Sequence, residues 1–369
     1  MRPVQRRAAT SFPAVGGLLP VACLLAACGR GPIPGPVTPI VVEGETMGTT
    51  YRILVSPGDG IAELPPDSPG RAAVSGAVRE TISQTAVIAL DKVNYRFSTY
   101  DPVSRLSRFN AADTGVPVKV DLETMDLVLR SFEWHEETGG AFDPTVGPLV
   151  NRWQFGPDRG DLVIPTESEV TELLKAVGPE NVRFDIESMT LTKLVDGVRL
   201  DLSAAAKGYG VDRLGSALAE LGHGDNFVEI GGEIRTRGEK PDGSPWTVAV
   251  RNPAAPFDPR GVRPMPLIDA AIATSGNYFN FHEVDGVRYG HTIDPRTGRP
   301  VTHDLAAATV IAADCATADA YATALMVMGP TQGYDWAAAR GVAAMLTTTD
   351  SKVRQTPAFE AWKTTGELP

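Results

Sequence analysis

Asp319 and Thr323 stand four residues apart in a run that reads as helix. That spacing stacks a carboxylate and a hydroxyl on one helix face, one turn apart. Hard oxygen donors of this kind suit Mg²⁺, which commonly takes one or two protein carboxylates and fills its octahedron with water and phosphate oxygens. A structural explanation is equally open for the pair alone. An Asp in a first helical turn is favoured by the helix dipole, and a Thr hydroxyl can return to a backbone carbonyl.

Other segments carry chemistry of the same ambiguous kind. Leu200-Asp201-Leu202-Ser203-Ala204-Ala205-Ala206-Lys207-Gly208-Tyr209-Gly210 joins a strand-like run to a helix, with small residues that let a ligand approach the backbone. A helix start offers free N–H groups to an anion. The spacing is neither Gly-x-Gly-x-x-Gly nor a P-loop, and tight strand-to-helix packing also accounts for the small residues. Ala141-Phe142-Asp143-Pro144 places an acid in a turn that proline restricts. His291-Thr292-Ile293-Asp294-Pro295 sets a histidine able to titrate near neutral pH at the end of a strand. Residues 94–100 offer aromatics for stacking on a planar ring, and Gly44-Glu45-Thr46-Met47-Gly48-Thr49 forms a turn before a strand. Singly, each also fits core or loop.

The elements that must position these residues follow from periodicity. Val74, Val78, Ile82, Ala86 and Leu90 recur every four residues, which predicts a helix over 74–93 with that side in the core. A helix over 122–138 ends at Gly139-Gly140. Further helices are expected at 167–176, 205–221, 316–328 and 333–340, and strands at 199–202, 226–230, 247–250, 269–274 and 306–312. Helices and strands intermix, so the expected fold is α/β or α+β, a body of mixed β-sheets flanked by helices. The Pro-rich stretch 64–70 is a surface loop. No later linker is long enough to define a second domain, so residues 40–369 are expected to form one body, and no solenoid-type repeat occurs.

The N-terminus is of a different kind. Arg2, Arg6 and Arg7 precede a mostly apolar stretch over 12–27, too short and too interrupted by Pro and Gly to span a bilayer; residues 1–27 read as a signal peptide. Leu25-Ala26-Ala27-Cys28 resembles the lipobox of bacterial lipoproteins, so Cys28 is the expected lipidation site and residues 28–39 a Gly/Pro-rich tether. Ala8 and Ala9 after Arg6-Arg7 favour the general export route over a twin-arginine one. Gly29 favours an outer-membrane address in a Gram-negative cell, and the expected location is the periplasmic face of a bacterial membrane. Three cysteines occur; with Cys23 removed and Cys28 lipidated, Cys315 remains, read as a small buried hydrophobe. The chain carries a net charge of −11 with 43% hydrophobic and 21% charged residues, which argues against disorder. Residues 1–27 contain three arginines and no acid, so the processed chain is more acidic still, and a nucleic-acid partner is excluded.

Together and in order, the quoted segments resemble the ApbE family of FAD:protein FMN transferases: the 44–49 turn, Ser98-Thr99-Tyr100, Phe142 to Leu149, Asp201 to Tyr209, Ala273-Thr274-Ser275-Gly276, His291 to Pro295 and Ala318 to Thr323. The resemblance runs from Ile40 to Gly341. It implies an FAD site lined by Met47, Tyr100, Ala141, Phe142, Asp143, Asp201, Lys207 and Ile293. It implies Mg²⁺ held by Asp319 and Thr323 with backbone oxygens near Ala204 and Ala322, where some relatives carry Thr or Asp. The implied reaction is attack of a Thr or Ser hydroxyl of an acceptor protein on the FMN phosphorus of FAD, with AMP leaving. His291 is the first candidate proton acceptor and Asp294 the second. The expected acceptor is an exported or membrane-bound electron-transfer subunit with a Ser/Thr-Gly-Ala-Thr-like motif. Two rivals stand beside this reading: a Mg²⁺-dependent FAD pyrophosphatase giving FMN and AMP, and a non-enzymatic FAD-binding lipoprotein.

Overall fold

Alternating apolar residues lay down the first hairpin. Ile40 and Val42 on β1 (Ile40–Thr46) and Tyr51, Ile53 and Val55 on β2 (Thr49–Val55) are buried. Met47 and Gly48, both at positive φ, form the two-residue turn, a geometry that matches the right-handed twist of the flanking strands. This hairpin edges an eight-stranded sheet completed by β3 (Asn226–Ile230), β4 (Glu233–Arg237), β5 (Ala271–Gly276), β6 (Leu305–Ala312), β7 (Ala343–Thr348) and β8 (Val353–Gln355). Spatial order equals chain order, and every neighbouring pair is antiparallel. The fold is therefore α+β. Helices and strands intermix along the chain as expected, but within the sheets the direction is uniformly antiparallel rather than mixed.

The computed structural model describes residues 37–65, 67–157, 160, 162–250, 264–277 and 280–368, which belong to one compact unit, Pro36–Pro369. Seven helices matter to the site: α1 (Pro69–Phe97), α2 (Arg105–Ala111), α3 (Leu122–Glu137), α4 (Gly147–Arg152), α5 (Glu167–Leu174), α6 (Ser203–Glu220) and α7 (Cys315–Ala339). Ala273, Val310 and Ala344 point from the sheet into the core shared with α6 and α7. Their neighbours Ile272, Ile311 and Ala343 face the other way, onto Phe359 and Trp362 of a final helix, Pro357–Thr365. With both faces covered, β6 reads as the near-continuous apolar run LAAATVIA. Among the described residues no helix is long and apolar enough to cross a membrane. The signal peptide, Cys28 and most of the tether lie outside the described residues.

Several expected elements shift. The helix expected at 74–93 is α1, longer at both ends. Ser68 caps it and Pro69 opens it, where a ring-fixed φ and a missing N–H cost nothing. Its fully buried positions begin at Ile82; Val78 packs against the core only partly buried, and Val74 is 43% exposed. The two helices expected at 316–328 and 333–340 form one assigned helix, α7, bent where Gly329 adopts φ 79° and Pro330 follows. The strand expected at 199–202 is reduced to a single bridge from Arg199 to Val146. Its ladder groups are occupied elsewhere: the Asn110 side chain of α2 takes both the N–H and the C=O of Leu200, at 2.7 and 2.8 Å, and the Asp201 N–H donates to Pro144 O. Strands expected at 247–250 and 269–274 appear as Thr247–Val248 and β5. Asp269, at φ 46°, sits in the turn before β5.

The crossing of α6 on α7 positions the site. Gly208 lies so close to the start of α7 that a Cβ there would stand 2.2 Å from Cys315 O and 2.8 Å from Ala316 Cα. The backbones cannot give way, since Cys315 and Ala316 are fully buried. Gly208→Ala is therefore expected to destabilise the protein by about 3 kcal/mol, the upper end for overpacking. Chemical denaturation measures it, and a variant as stable as the parent would show that the helices do not cross this tightly.

Candidate active site

The start of α7 is capped by two other acids, and this settles what Asp319 is not doing. Asp314 is the N-cap, accepting from Thr317 N at 2.9 Å, and Asp212 of α6 accepts from Cys315 N and Ala316 N while pairing with Arg235. Asp319 lies beyond that first turn, so the helix dipole does not account for it. It is 2% exposed, accepts from Gly208 N–H at 3.2 Å and stands 3.5 Å from Lys207 Nζ. One turn on, the Thr323 hydroxyl shares a 3.1 Å hydrogen bond with the Ser275 hydroxyl on β5. The carboxylate and the two hydroxyls thus converge where α7 lies against β5 beside the first turns of α6.

Lys207 serves two carboxylates. Its Nζ is 3.4 Å from Glu233 Oε1 at the start of β4 and 3.5 Å from Asp319 Oδ2. Burial works to lower the lysine pKa, but the two carboxylates overcome it and the ammonium is held more firmly than usual. Asp319 shares that one cation with Glu233, so burial and the Glu233 charge push its pKa up to about 7 against the pull of Lys207.

The other expected residues fall into three groups around this cluster. Met47 sits at the hairpin tip beside an open recess of about 480 Å³ lined by residues 45–50; its terminal methyl would lie 3.0 Å from a Cβ at Gly210, one turn past Lys207. Ala141, Phe142, Asp143 and Asp201 are buried and fastened together. Asp201 N–H donates to Pro144 O, Gly147 packs on the Arg199 carbonyl, and Asp201 Oδ1 accepts from Ser203 N at the start of α6. The Phe142 ring packs edge-on against Trp134, so this segment presents backbone rather than a stacking face. Tyr100 does offer one: it is 58% exposed, its hydroxyl 3.5 Å from Phe155 O. Ile293 is buried with Leu149 and Trp153.

The two candidate proton acceptors differ. Asp294 is engaged, accepting two hydrogen bonds from the Arg296 guanidinium at 2.9 Å and one from its backbone N–H. His291 Nδ1 lies 3.2 Å from Asn280 O, which assigns the proton to Nδ1 and leaves the Nε2 lone pair open. Burial, with help from the Lys207 charge, lowers its pKa, so the ring is neutral at pH 7. Ala204 opens α6 half-buried, and Ala322 is buried immediately before Thr323, so both can offer only backbone.

Glu233 and Ser275 join the site without having been assigned to it from the sequence. Ser275 lies in a quoted motif, but only its pairing with Thr323 across β5 and α7 gives it a role. For Glu233 a signal existed: it follows Gly231-Gly232 and occupies a core-facing strand position, where a charge is out of place. Among the described residues no three His, Cys, Asp or Glu side chains are grouped to hold a metal. One buried carboxylate with neighbouring hydroxyls and backbone oxygens fits Mg²⁺, which relies on water and phosphate for its remaining ligands.

Comparisons with known proteins place the chain by sequence and by fold. The chain matches the ApbE family profile over residues 47–346. An FAD:protein FMN transferase of Vibrio cholerae is 40% identical over 311 residues, covering 84% of this chain and 86% of that protein. One from Haemophilus influenzae is 33% identical over 337 residues, covering 90% and 92%. Among solved structures, flavin transferase ApbE from Vibrio cholerae superposes with a TM-score of 0.76 at 37% identity, covering 88% of this chain and 99% of that one. The apo form of Pseudomonas stutzeri flavinyl transferase ApbE gives 0.76 at 32% identity, covering 88% and 97%.

The 141–143 segment is also tied to α3 by a titratable contact. His135 Nδ1 is 3.1 Å from Asp143 Oδ2, an ion pair set at a poor hydrogen-bond angle, and Asp143 raises the histidine pKa above 6.5. A raised folded-state pKa contributes stability in full below the unfolded value of 6.5 and loses it as pH rises through the folded value. The parent should thus lose stability across that rise more steeply than His135→Gln, as read by urea denaturation on both sides of pH 6.5. Parallel pH profiles would show that the contact is too weak to matter.

Proposed function

This chain belongs to the ApbE family, and on that premise we propose that it is an FAD:protein FMN transferase that uses Mg²⁺. The observation that carries the reading is the buried Asp319 carboxylate, set against Lys207 and one turn from the Thr323 and Ser275 hydroxyls. Asp319 and Thr323 would hold the metal with backbone oxygens near Ala204 and Ala322. Bound there, Mg²⁺ supplies Lewis-acid neutralisation of the diphosphate and a template for its geometry.

The remaining work falls to the chain's own residues. A Thr or Ser hydroxyl of the acceptor attacks the FMN phosphorus of FAD; the new phosphoester P–O bond forms as the P–O bond to AMP breaks, and AMP leaves with the electron pair. His291, neutral and with Nε2 open, takes the hydroxyl proton. Lys207 places a fixed positive charge beside the diphosphate, and the α6 start, ordered by Asp201, directs N–H groups toward an anion. The exposed Tyr100 ring supplies a stacking face for a planar ring. The flavin is cargo in this reaction, so no redox partner is required. The acceptor is an exported or membrane-bound electron-transfer subunit with a Ser/Thr-Gly-Ala-Thr-like motif. Lipidation of Cys28 would tether the enzyme at the periplasmic face of the membrane.

A soluble form beginning after Cys28, mixed with FAD, Mg²⁺ and a protein bearing such a motif, should add one FMN to the acceptor and release AMP, as read by intact mass. Asp319→Ala should abolish the reaction in a folded protein. FMN and AMP free in solution would mark a pyrophosphatase, and intact FAD throughout would leave a binding protein. Cys28→Ala should release the full-length protein from membranes on fractionation; unchanged membrane association would place the anchor elsewhere.

A further inference from the structure

Glu233 is the member of the Lys207 cluster that the reaction above does not use. It opens β4 directly after Gly231 and Gly232, pairs across the sheet with Ile230 and is 4% exposed. Oε1 lies 3.4 Å from Lys207 Nζ, while Oε2 is buried without a hydrogen-bond partner, beside Gly231, where a Cβ would stand 3.4 Å from it. A buried carboxylate with one oxygen unpaired is destabilising, and an apolar side chain at this core-facing position would hold the sheet as well. Packing therefore does not explain the residue. Two buried carboxylates share one ammonium, so that with both ionised the cluster carries one negative charge in excess.

That excess has a use if Asp319 must take a second cation. With Asp319 as its sole partner, Lys207 would compete with any metal for the same carboxylate, and binding would leave the ammonium of a partly buried side chain without a counter-charge. We propose that Glu233 is a positioning residue for Lys207, holding its ammonium between the two carboxylates so that Asp319 can turn an oxygen to a divalent cation. This rests on the reading of Asp319 as a Mg²⁺ ligand. In the cation-bound protein Lys207 leans on Glu233 and keeps its charge beside the substrate diphosphate.

The test is Mg²⁺ binding by isothermal titration calorimetry, without FAD, on the soluble protein and its variants, each checked for folding by thermal melt. Glu233→Gln keeps the shape and removes the charge; it should weaken Mg²⁺ binding by about 10- to 100-fold, the range for a residue that orients a metal ligand. In a Lys207→Gln background, where no ammonium needs a second partner, the same substitution should cost no more than about threefold. Glu233→Asp, which keeps the charge one methylene short, should fall between the parent and Glu233→Gln, and gives the reading if the Gln variant does not fold. Equal losses with and without Lys207 would show that Glu233 acts on the cation directly and overturn the proposal. No loss in Glu233→Gln would overturn it too. A parent protein that binds no Mg²⁺ would instead remove the premise about Asp319.

Discussion

The close crossing of α6 and α7 at Gly208 is the constraint from which the site follows. A single hydrogen atom in place of a side chain lets the Gly208 backbone reach the first residues of α7, and this proximity lets its N–H donate to Asp319. The same approach brings Lys207, one residue earlier, within 3.5 Å of that carboxylate. Any residue with a Cβ would separate the helices, and the ion pair and the hydrogen bond would lengthen together. Asp212, reaching from α6 to the first N–H groups of α7, fastens the crossing from the other side.

Around this crossing the fold gives each acid a distinct environment. Asp314 and Asp212 satisfy helix N–H groups, Asp201 accepts from Ser203 N–H at the start of α6, and Asp143 holds a turn through Thr145. Asp294 is spent on Arg296. Burial raises the pKa of both Asp212 and Asp319, but Asp212 has Arg235 and two helix N–H groups, whereas Asp319 has one N–H and a lysine shared with Glu233. A carboxylate under-served in this way can accept a further cation, which is the electrostatic basis of the proposed metal site. His291 is tuned in the opposite sense, kept neutral by burial and by the nearby lysine.

The rest of the fold supplies rigidity by taking up backbone groups. Asn110 occupies both polar groups of Leu200, and Pro144 O receives the Asp201 N–H, so the loop entering α6 is as firmly held as a strand without being one. That loop was expected as a strand, with Leu200 and Leu202 alternating with Arg199 and Asp201. The error has a physical origin: side-chain capping from ninety residues away leaves no local trace in sequence. The start of α1 failed similarly, since periodicity marks an apolar side but not where along the helix burial begins.

Local chemistry made much of the protein legible. The four-residue step from Asp319 to Thr323 fixed their common face, and residues 44–49 could be read as a turn before a strand, whereas the two helices expected at 316–328 and 333–340 proved to be one bent helix. The ordered motifs also identified the family, because each requires particular residue types at particular spacings. Tertiary structure decided which of those residues meet. It joined Ser275 to Thr323, brought Glu233 and Asp319 to the same lysine, and occupied Asp294 while, among the described residues, leaving Nε2 of His291 open. Sequence determines periodicity, capping and turn geometry because these act over a few residues. The charge state and partners of a buried acid depend on groups brought close only when the chain has folded.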